Sequence, residues 1–357
     1  MSRSVRSGIQ RALYLGTAVL ALALAFAACN EPTVHRGPTG PINLQGSTSV
    51  VQQASIVEYP VPSNDGYPYD MVVGPDGNFW VTGQFSPADN YNIPTVSRLT
   101  LQTRLTPYAL PGPEQNPDGI TVGSDGNLWF TISYMNDIGR ITPQGKITLF
   151  PLPSTSGPLD IVAGKDGNLW FTEPGNNSIG RITPAGKVTE FPLPVARSFP
   201  DQITVGPDGA IWFTENYRNF VGRITEAGKV SELAIPVIGR GLYGITTGPD
   251  KNLWITDVGN NCIWRMSPTG STKQFALPSV PPRSPYGIVA GPDGNLWFTE
   301  NTYSAIGRMT PQGELTEYKL KHTGSGPLSI ITGPDGNLWF TEISQHAIGR
   351  ITPPPAS

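Results

Sequence analysis

The ten residues GPDGNLWFTE occur twice in this chain, at 291–300 and 333–342, with close relatives at 74–83 (GPDGNFWVTG), 123–132 (GSDGNLWFTI), 164–173 (GKDGNLWFTE), 206–215 (GPDGAIWFTE) and 248–257 (GPDKNLWITD). Measured from Asp76 through Asp125, Asp166, Asp208, Asp250, Asp293 and Asp335, the spacings are 49, 41, 42, 42, 43 and 42 residues. A period near 42 with strand-like content is that of a propeller blade. Within 158–194 four β-type runs, DIVAG, NLWFTE, SIGRITP and KVTEFPLP, are separated by KDG, PGNN and PAG. Asp-Gly and Pro-x-Gly suit tight hairpins, because glycine accepts the positive φ such turns require. Each copy therefore predicts a four-stranded antiparallel meander, strands A to D. One such sheet has two faces to bury, so the copies must stack, with Trp80, Trp129, Trp170, Trp212, Trp254, Trp297 and Trp339 supplying much of the area between blades.

The seventh copy stops after its C strand, at IGRITPPPAS, while an orphan D-like segment, IVEYPVP (56–62), precedes the first A strand. Counting that segment, seven D runs serve seven blades. The expected fold is all-β: a seven-bladed β-propeller over 55–353, closed by the N-terminal strand 56–62 completing the last blade, with no open sheet edge. A content of 41 Gly and 37 Pro with only 14% charged residues fits a turn-rich β protein.

Residues 1–28 stand apart. Arg3, Arg6 and Arg11 precede an uncharged apolar run from Ala12 to Ala28, the layout of a secretory signal. Phe26-Ala27-Ala28-Cys29 resembles the site at which bacterial lipoproteins are cut and acylated, so Cys29 is the expected lipidation site and the chain is expected to be exported to the cell envelope. Residues 29–54, rich in Pro, Gly, Ser, Thr and Gln, read as a flexible tether. Removing the leader takes three of the 24 Lys+Arg and none of the 27 Asp+Glu, leaving a net charge of −6, the wrong sign for a nucleic-acid partner. The expected membrane contact is through the N-terminal lipid alone. The only other cysteine, Cys262, stands where sister repeats have Ser178 or Ala305 and reads as a small packing residue.

A residue recurring in all seven copies is better explained by packing than by a unique site. The C-strand arginines Arg98, Arg140, Arg181, Arg223, Arg265, Arg308 and Arg350 are therefore read as structural. The D–A and B–C loops leave one face of the ring and vary, whereas the GPDG and TPxGK turns of the other face do not, so function is expected on the variable face. There the A-strand entrances read Tyr69, Asp118, Leu159, Asp201, Tyr243, Tyr286 and Leu328, and the three tyrosines suit an apolar or cyclic ligand. Arg197, Arg240, Arg283, Lys321 and His322 of the D–A loops add a mixed-charge rim. The B strands end in Glu173, Glu215, Asp257, Glu300 and Glu342, carboxylates that would repel one another around a channel mouth unless paired or bound to a cation. Blade 1 has 18 residues from Trp80 to Arg98 against 11 in the other blades, so SPADNYNIP is expected to lean over this face.

GPDGNLWFTE followed by IGRITPxGK(I/V)TEFPLP, in seven copies, resembles the streptogramin B lyase (virginiamycin B lyase) family over essentially the whole propeller. The resemblance implies a seven-bladed propeller that opens the lactone ring of type B streptogramins by elimination, with a histidine base and Mg²⁺. The family's histidines fall at the A-strand entrances of the last two blades, where this chain has Tyr286 and Leu328. Of the family's acidic positions Glu300 matches in blade 6, while in blade 7 Glu342 is present but shifted by one residue from the match, which falls on Ile343. The remaining histidines are His35 in the tether, His322 in a D–A loop and His346 in a B–C loop. The expected function is therefore binding of a small ligand, a glycan or an envelope protein through Tyr69, Asp118, Asp201, Tyr243, Tyr286, Arg240 and Arg283. The alternative is a Mg²⁺-dependent carbon–oxygen lyase, or a lactonase, with Glu300, Glu342 and His322 as catalytic candidates and Glu300 and Glu342 as metal ligands.

Overall fold

A computed structural model describes residues 55–62, 65–84, 93–112, 115–237 and 239–354. The leader, Cys29, the tether and residues 85–92 of the long blade 1 loop lie outside the described residues. Seven four-stranded antiparallel sheets are formed. Blades 1 to 6 are β2–β5 (67–109), β6–β9 (117–151), β10–β13 (161–192), β14–β17 (200–234), β18–β21 (242–276) and β22–β25 (285–319). Blade 7 joins β26 (Pro327–Thr332), β27 (Leu338–Glu342) and β28 (Ala347–Ile351) to β1 (Ile56–Pro60), in the order β1-β28-β27-β26. The register runs from Ile56↔Ile351 to Pro60↔Ala347, so the two ends of the described chain share one sheet.

The repeated residues form a repeated structure. In every blade the GPD aspartate accepts a hydrogen bond from the B-strand tryptophan Nε1, at 2.9–3.2 Å. All seven tryptophans are fully buried, and at about 25 cal/mol per Å² each contributes about 4–6 kcal/mol of transfer free energy at most. A D-strand aromatic stacks on six of them, as in Trp170–Phe191 and Trp339–Tyr59. C-strand arginines lie over the tryptophan rings, Arg181 over Trp170 at 5.2 Å and Arg350 over Trp339 at 5.8 Å, and five pair with the GPD aspartate of their own blade. These arginines are structural.

The WFT threonine explains how blades are joined. Each hydroxyl accepts a hydrogen bond from an A-strand N–H of its own blade and donates one to the carbonyl of the next blade's entrance residue, as Thr82 does to Asp118 (2.7 Å) and Thr172 to Asp201 (2.7 Å). The series ends with Thr341 donating to the Tyr69 carbonyl at 3.0 Å, which carries it across the closing seam.

Blade 5 departs from the pattern in a compensating way. In blades 2, 3, 4, 6 and 7 a C-strand glycine makes room for a B-strand phenylalanine, and a Cβ on Gly222 would lie 2.1 Å from the Phe213 ring. Blade 5 has Ile255 opposite Trp264, so the bulk has moved from one strand to the other at the same register position.

Candidate functional site

The innermost strands leave a central channel, and at its variable face lies a cavity of about 160 Å³. Tyr69, Leu159, Asp201, Tyr243 and Leu328 of the entrance set line it, together with Asp70, Asp160, Gln202 and Ser329. Two consecutive residues per strand reach the channel because pairing slips at the start of the A strand in blades 1, 2, 4, 5, 6 and 7, for example between Pro68 and Met71. Such a bulge interrupts the alternation that would otherwise send the second residue away. Asp70, Gln202 and Ser329 were missed from sequence for this reason, and Asp160 because Thr172 of blade 3 pairs through its backbone with both Leu159 and Asp160, although the position also varies between blades (Asp70, Gly119, Asp160, Gln202, Gly244, Gly287, Ser329).

The three tyrosines come together. Tyr243 meets Tyr286 edge-on at 4.7 Å between ring centroids, and its hydroxyl lies 3.5 Å from that of Tyr69, a contact that spans the channel between blades 5 and 1. Burial raises the pKa of all three, with nearby aspartate charge adding to it. All three are therefore neutral hydroxyl groups near pH 7.

Four aspartates surround the same space. Asp70 accepts hydrogen bonds from Ser329 Oγ (2.7 Å) and the Ile120 N–H (3.0 Å), and Asp160 from the Ile161 and Ile203 N–H groups (2.8 and 2.9 Å). Asp118 accepts from Gln84 Nε2 (2.6 Å) and the Ser133 N–H (3.1 Å), and Asp201 from Asn216 Nδ2 (3.2 Å). Burial pushes Asp118 and Asp201 up to about 7, against the lowering effect of those donors. It also raises Asp70, and it raises Asp160 strongly with the charge of Asp70 adding to it. Asp118 flanks the cavity rather than lining it, and Tyr286 reaches the site through Tyr243.

The B-strand carboxylates do not crowd the mouth. The reason is side-chain alternation: Glu173 projects from the same sheet face as Leu169 and Phe171, into the space between blades rather than along the sheet towards the axis. Glu173, Glu215 and Glu342 are fully buried, and burial pushes each to about 7, with a further upward push from Glu190, Glu232 and Glu58 of the D strands beside them. Asp257 accepts from Asn260 and Trp264. Glu300 shares its blade with Glu317 and Arg283, whose guanidinium binds Glu317 bidentately (2.6 and 3.0 Å) and stands 3.8 Å from Glu300. Arg283, expected on the rim, is 5% exposed and lies 3.7 Å over the Tyr303 ring. Glu300 and Glu342 therefore lie in separate blades, one facing a guanidinium and the other a glutamate. Among the described residues no three His, Cys, Asp or Glu side chains are placed to hold a metal ion. This arrangement does not fit Mg²⁺ on Glu300 and Glu342.

Of the histidines, His322 is half exposed with Nε2 3.6 Å from Glu58, and His346 sits in a left-handed turn with its ring 4.0 Å from that of Tyr67. Neither lines the channel cavity. Arg240 also lies away from it, stacked 4.8 Å over Tyr217. Cys262 is buried with its thiol pushed up to about 12 by desolvation, as a packing residue would be.

The virginiamycin B lyase family model matches residues 54–280 and 245–355. Virginiamycin B lyase from Staphylococcus aureus superimposes with a TM-score of 0.78 at 37% identity, covering 85% of this chain and 100% of the lyase. A catalytically inactive histidine-to-alanine variant of that enzyme with quinupristin gives 0.78 at 36% over the same shares. A streptogramin B lyase gives 0.77 at 34% identity, covering 84% of this chain and 97% of the lyase. No curated protein matches the chain. With its seven blades, its repeats and its whole propeller aligned to these enzymes, the chain belongs to the virginiamycin B lyase family.

Proposed function

We propose that this protein binds a small, partly apolar ligand at the channel mouth. The observation that supports this most directly is the contrast between a scaffold repeated seven times and a mouth whose residues vary between blades, joining three neutral tyrosines to a set of buried carboxyl groups. Tyrosine faces suit an apolar or cyclic body, and carboxyl groups poised near neutrality both donate and accept hydrogen bonds. A cyclic depsipeptide of the type B streptogramin class has both kinds of surface, and quinupristin is the first ligand to try.

A second reading, ring opening by elimination, draws support from Asp201. The family's histidine positions are Tyr286 and Leu328 here, but Asp201 lines the cavity with its carboxyl near 7, the range a general base requires. No step through Glu300 or Glu342 is assigned.

The test is calorimetric titration of the purified protein with quinupristin, followed by mass analysis of the product with and without Mg²⁺. Binding without ring opening, weakened at least about tenfold by Tyr243→Ala, is the expected result. Ring opening that Asp201→Asn abolishes would replace it with the lyase reading. No binding and no opening would overturn streptogramins as the ligand class.

We further propose that residues 1–28 direct export and that Cys29 carries the lipid. Cys29→Ser is expected to move the protein from the membrane to the soluble fraction, and an unchanged distribution would refute the anchor.

A further inference from the structure

A second pocket opens on the same face, built by the D–A loop before blade 4, the B–C loop of blade 4 and the D–A loop that follows. It has a volume of about 360 Å³ and is lined by Arg197, Tyr217, Arg218, Phe220 and Arg240. Its charge is opposite to that of the channel. Arg218 donates to the Ala196 carbonyl at 2.9 Å and lies near Glu215 and Glu232, which partly offset it. Arg197 and Arg240 are exposed, and among the described residues neither has a carboxylate within salt-bridge distance. Tyr217 stacks on Phe199 at 4.5 Å and 11° between the rings, and the Arg240 guanidinium carbon lies 4.8 Å from its centroid. That contact restricts the Arg240 guanidinium by a cation–π attraction while leaving the side chain exposed.

None of these residues belongs to the repeat. Tyr217, Arg218 and Phe220 stand where blade 3 has Gly175, Asn176 and Ser178. Arg197 and Phe199 both have left-handed backbone, at φ 61° and 55°. In the equivalent loop before blade 7 those two places are held by Gly324 and Gly326, at φ 74° and 64°. A non-glycine residue there is strained, because its Cβ crowds the backbone in the left-handed region. This one loop thus accepts strain at two positions to present a cation and to brace the ring on which a second cation stacks.

We propose that this pocket binds the oxyanion of a small organic ligand, a carboxylate or a phosphate monoester, between Arg197 and Arg240, with Arg218 at its base. Guanidinium groups with no carboxylate paired to them, as Arg197 and Arg240 are among the described residues, bind such groups by paired, charge-assisted hydrogen bonds. The volume is many times the roughly 30 Å³ share of a water molecule, so the anion enters with its organic part, which meets the Tyr217 edge and Phe220. The site stands apart from the channel mouth, and its existence does not depend on the ligand assigned there.

The experiment is titration of the purified full-length protein at low ionic strength with glucuronate, glucose 6-phosphate and neutral glucose, followed by calorimetry. Either anion is expected to bind where glucose does not, the stronger of the two identifying the group preferred. Arg197→Ala and Arg240→Ala each weaken binding about tenfold or more, while Arg104→Ala, an exposed arginine elsewhere, leaves it unchanged. Because both arginines are exposed, melting temperatures of the variants should match the parent. Absence of binding by both anions, or binding that survives both substitutions, would overturn the proposal.

Discussion

At the scale of single residues, the repeat makes each position a comparison of seven, and blade 5 shows what that comparison is worth. Trp264 fills with one side chain the volume that Gly222 and Phe213 divide in blade 4. Trp264→Gly should cost about 3–5 kcal/mol in urea unfolding by leaving a cavity, and adding Ile255→Phe should recover most of that loss. Lack of rescue would mean that the two blades do not share a packing solution. The same seven-fold comparison made the tryptophans, aspartates and arginines legible as scaffold. It picked out Tyr69, Tyr243, Asp201 and Tyr286 as mouth residues, because their types vary where the chain is otherwise monotonous. It did not find Asp70 or Asp160, since strand alternation assigns the residue after the entrance to the other face and a bulge is invisible in the sequence. Nor did it separate Arg283 from Arg240: both are loop arginines, and only the presence of Glu317 beside one of them decides that it is buried.

At the scale of the strand, the buried carboxyl pairs of blades 3, 4 and 7 tie stability to pH. Glu173, Glu215 and Glu342 are raised from 4.5 to about 7 in the folded protein. The folded state therefore holds protons that the unfolded chain releases, so the stability they contribute is complete below about pH 4.5 and is lost as pH rises to about 7. The GPD aspartates Asp76, Asp125, Asp208, Asp293 and Asp335 are lowered despite burial by hydrogen bonds from their turns and tryptophans, and they act in the opposite sense, losing stability on acidification below 3.8. A Glu173→Gln, Glu215→Gln, Glu342→Gln variant should melt higher than the parent at pH 8 and no higher at pH 5, by about 2–4 °C per kcal/mol recovered. Equal melting curves at pH 8 would show that these carboxyls are ionised without cost. The strands themselves were readable from turn chemistry. The pairing of a B-strand acid with a D-strand acid was not, because it depends on register across a third strand.

At the scale of the whole molecule, closure was countable in the sequence: six complete blades, one lacking a D strand, and one D-like segment at the other end. The structure pairs β1 with β28 and stacks Tyr59 on Trp339 at 5.6 Å. Removing residues 55–60 should leave β28 as an open edge and expose one face of Trp339. The expected outcome is self-association on size exclusion and a large loss of melting temperature. A monomeric truncation that melts like the parent would show that six closed blades and a three-stranded seventh suffice. The second pocket, in contrast, was only partly legible: Arg197 and Arg240 were visible as rim charges, but their union with Tyr217 and Phe199 needed three loops placed in space.

The threonine relay and the β1–β28 pairing together set an order of events. The strand that leaves the ribosome first among those described is completed by the one that leaves last, and Thr341, the link that shuts the circle, is made within a few residues of it. Local hairpins can form blade by blade as the chain emerges, yet the cooperative ring waits for the whole sequence, because its last contact joins residues nearly 300 positions apart. Until then β1 remains unpaired. The closing step is therefore a clock: the ring stays open, with β1 an unpaired edge, for as long as its final blade is unfinished.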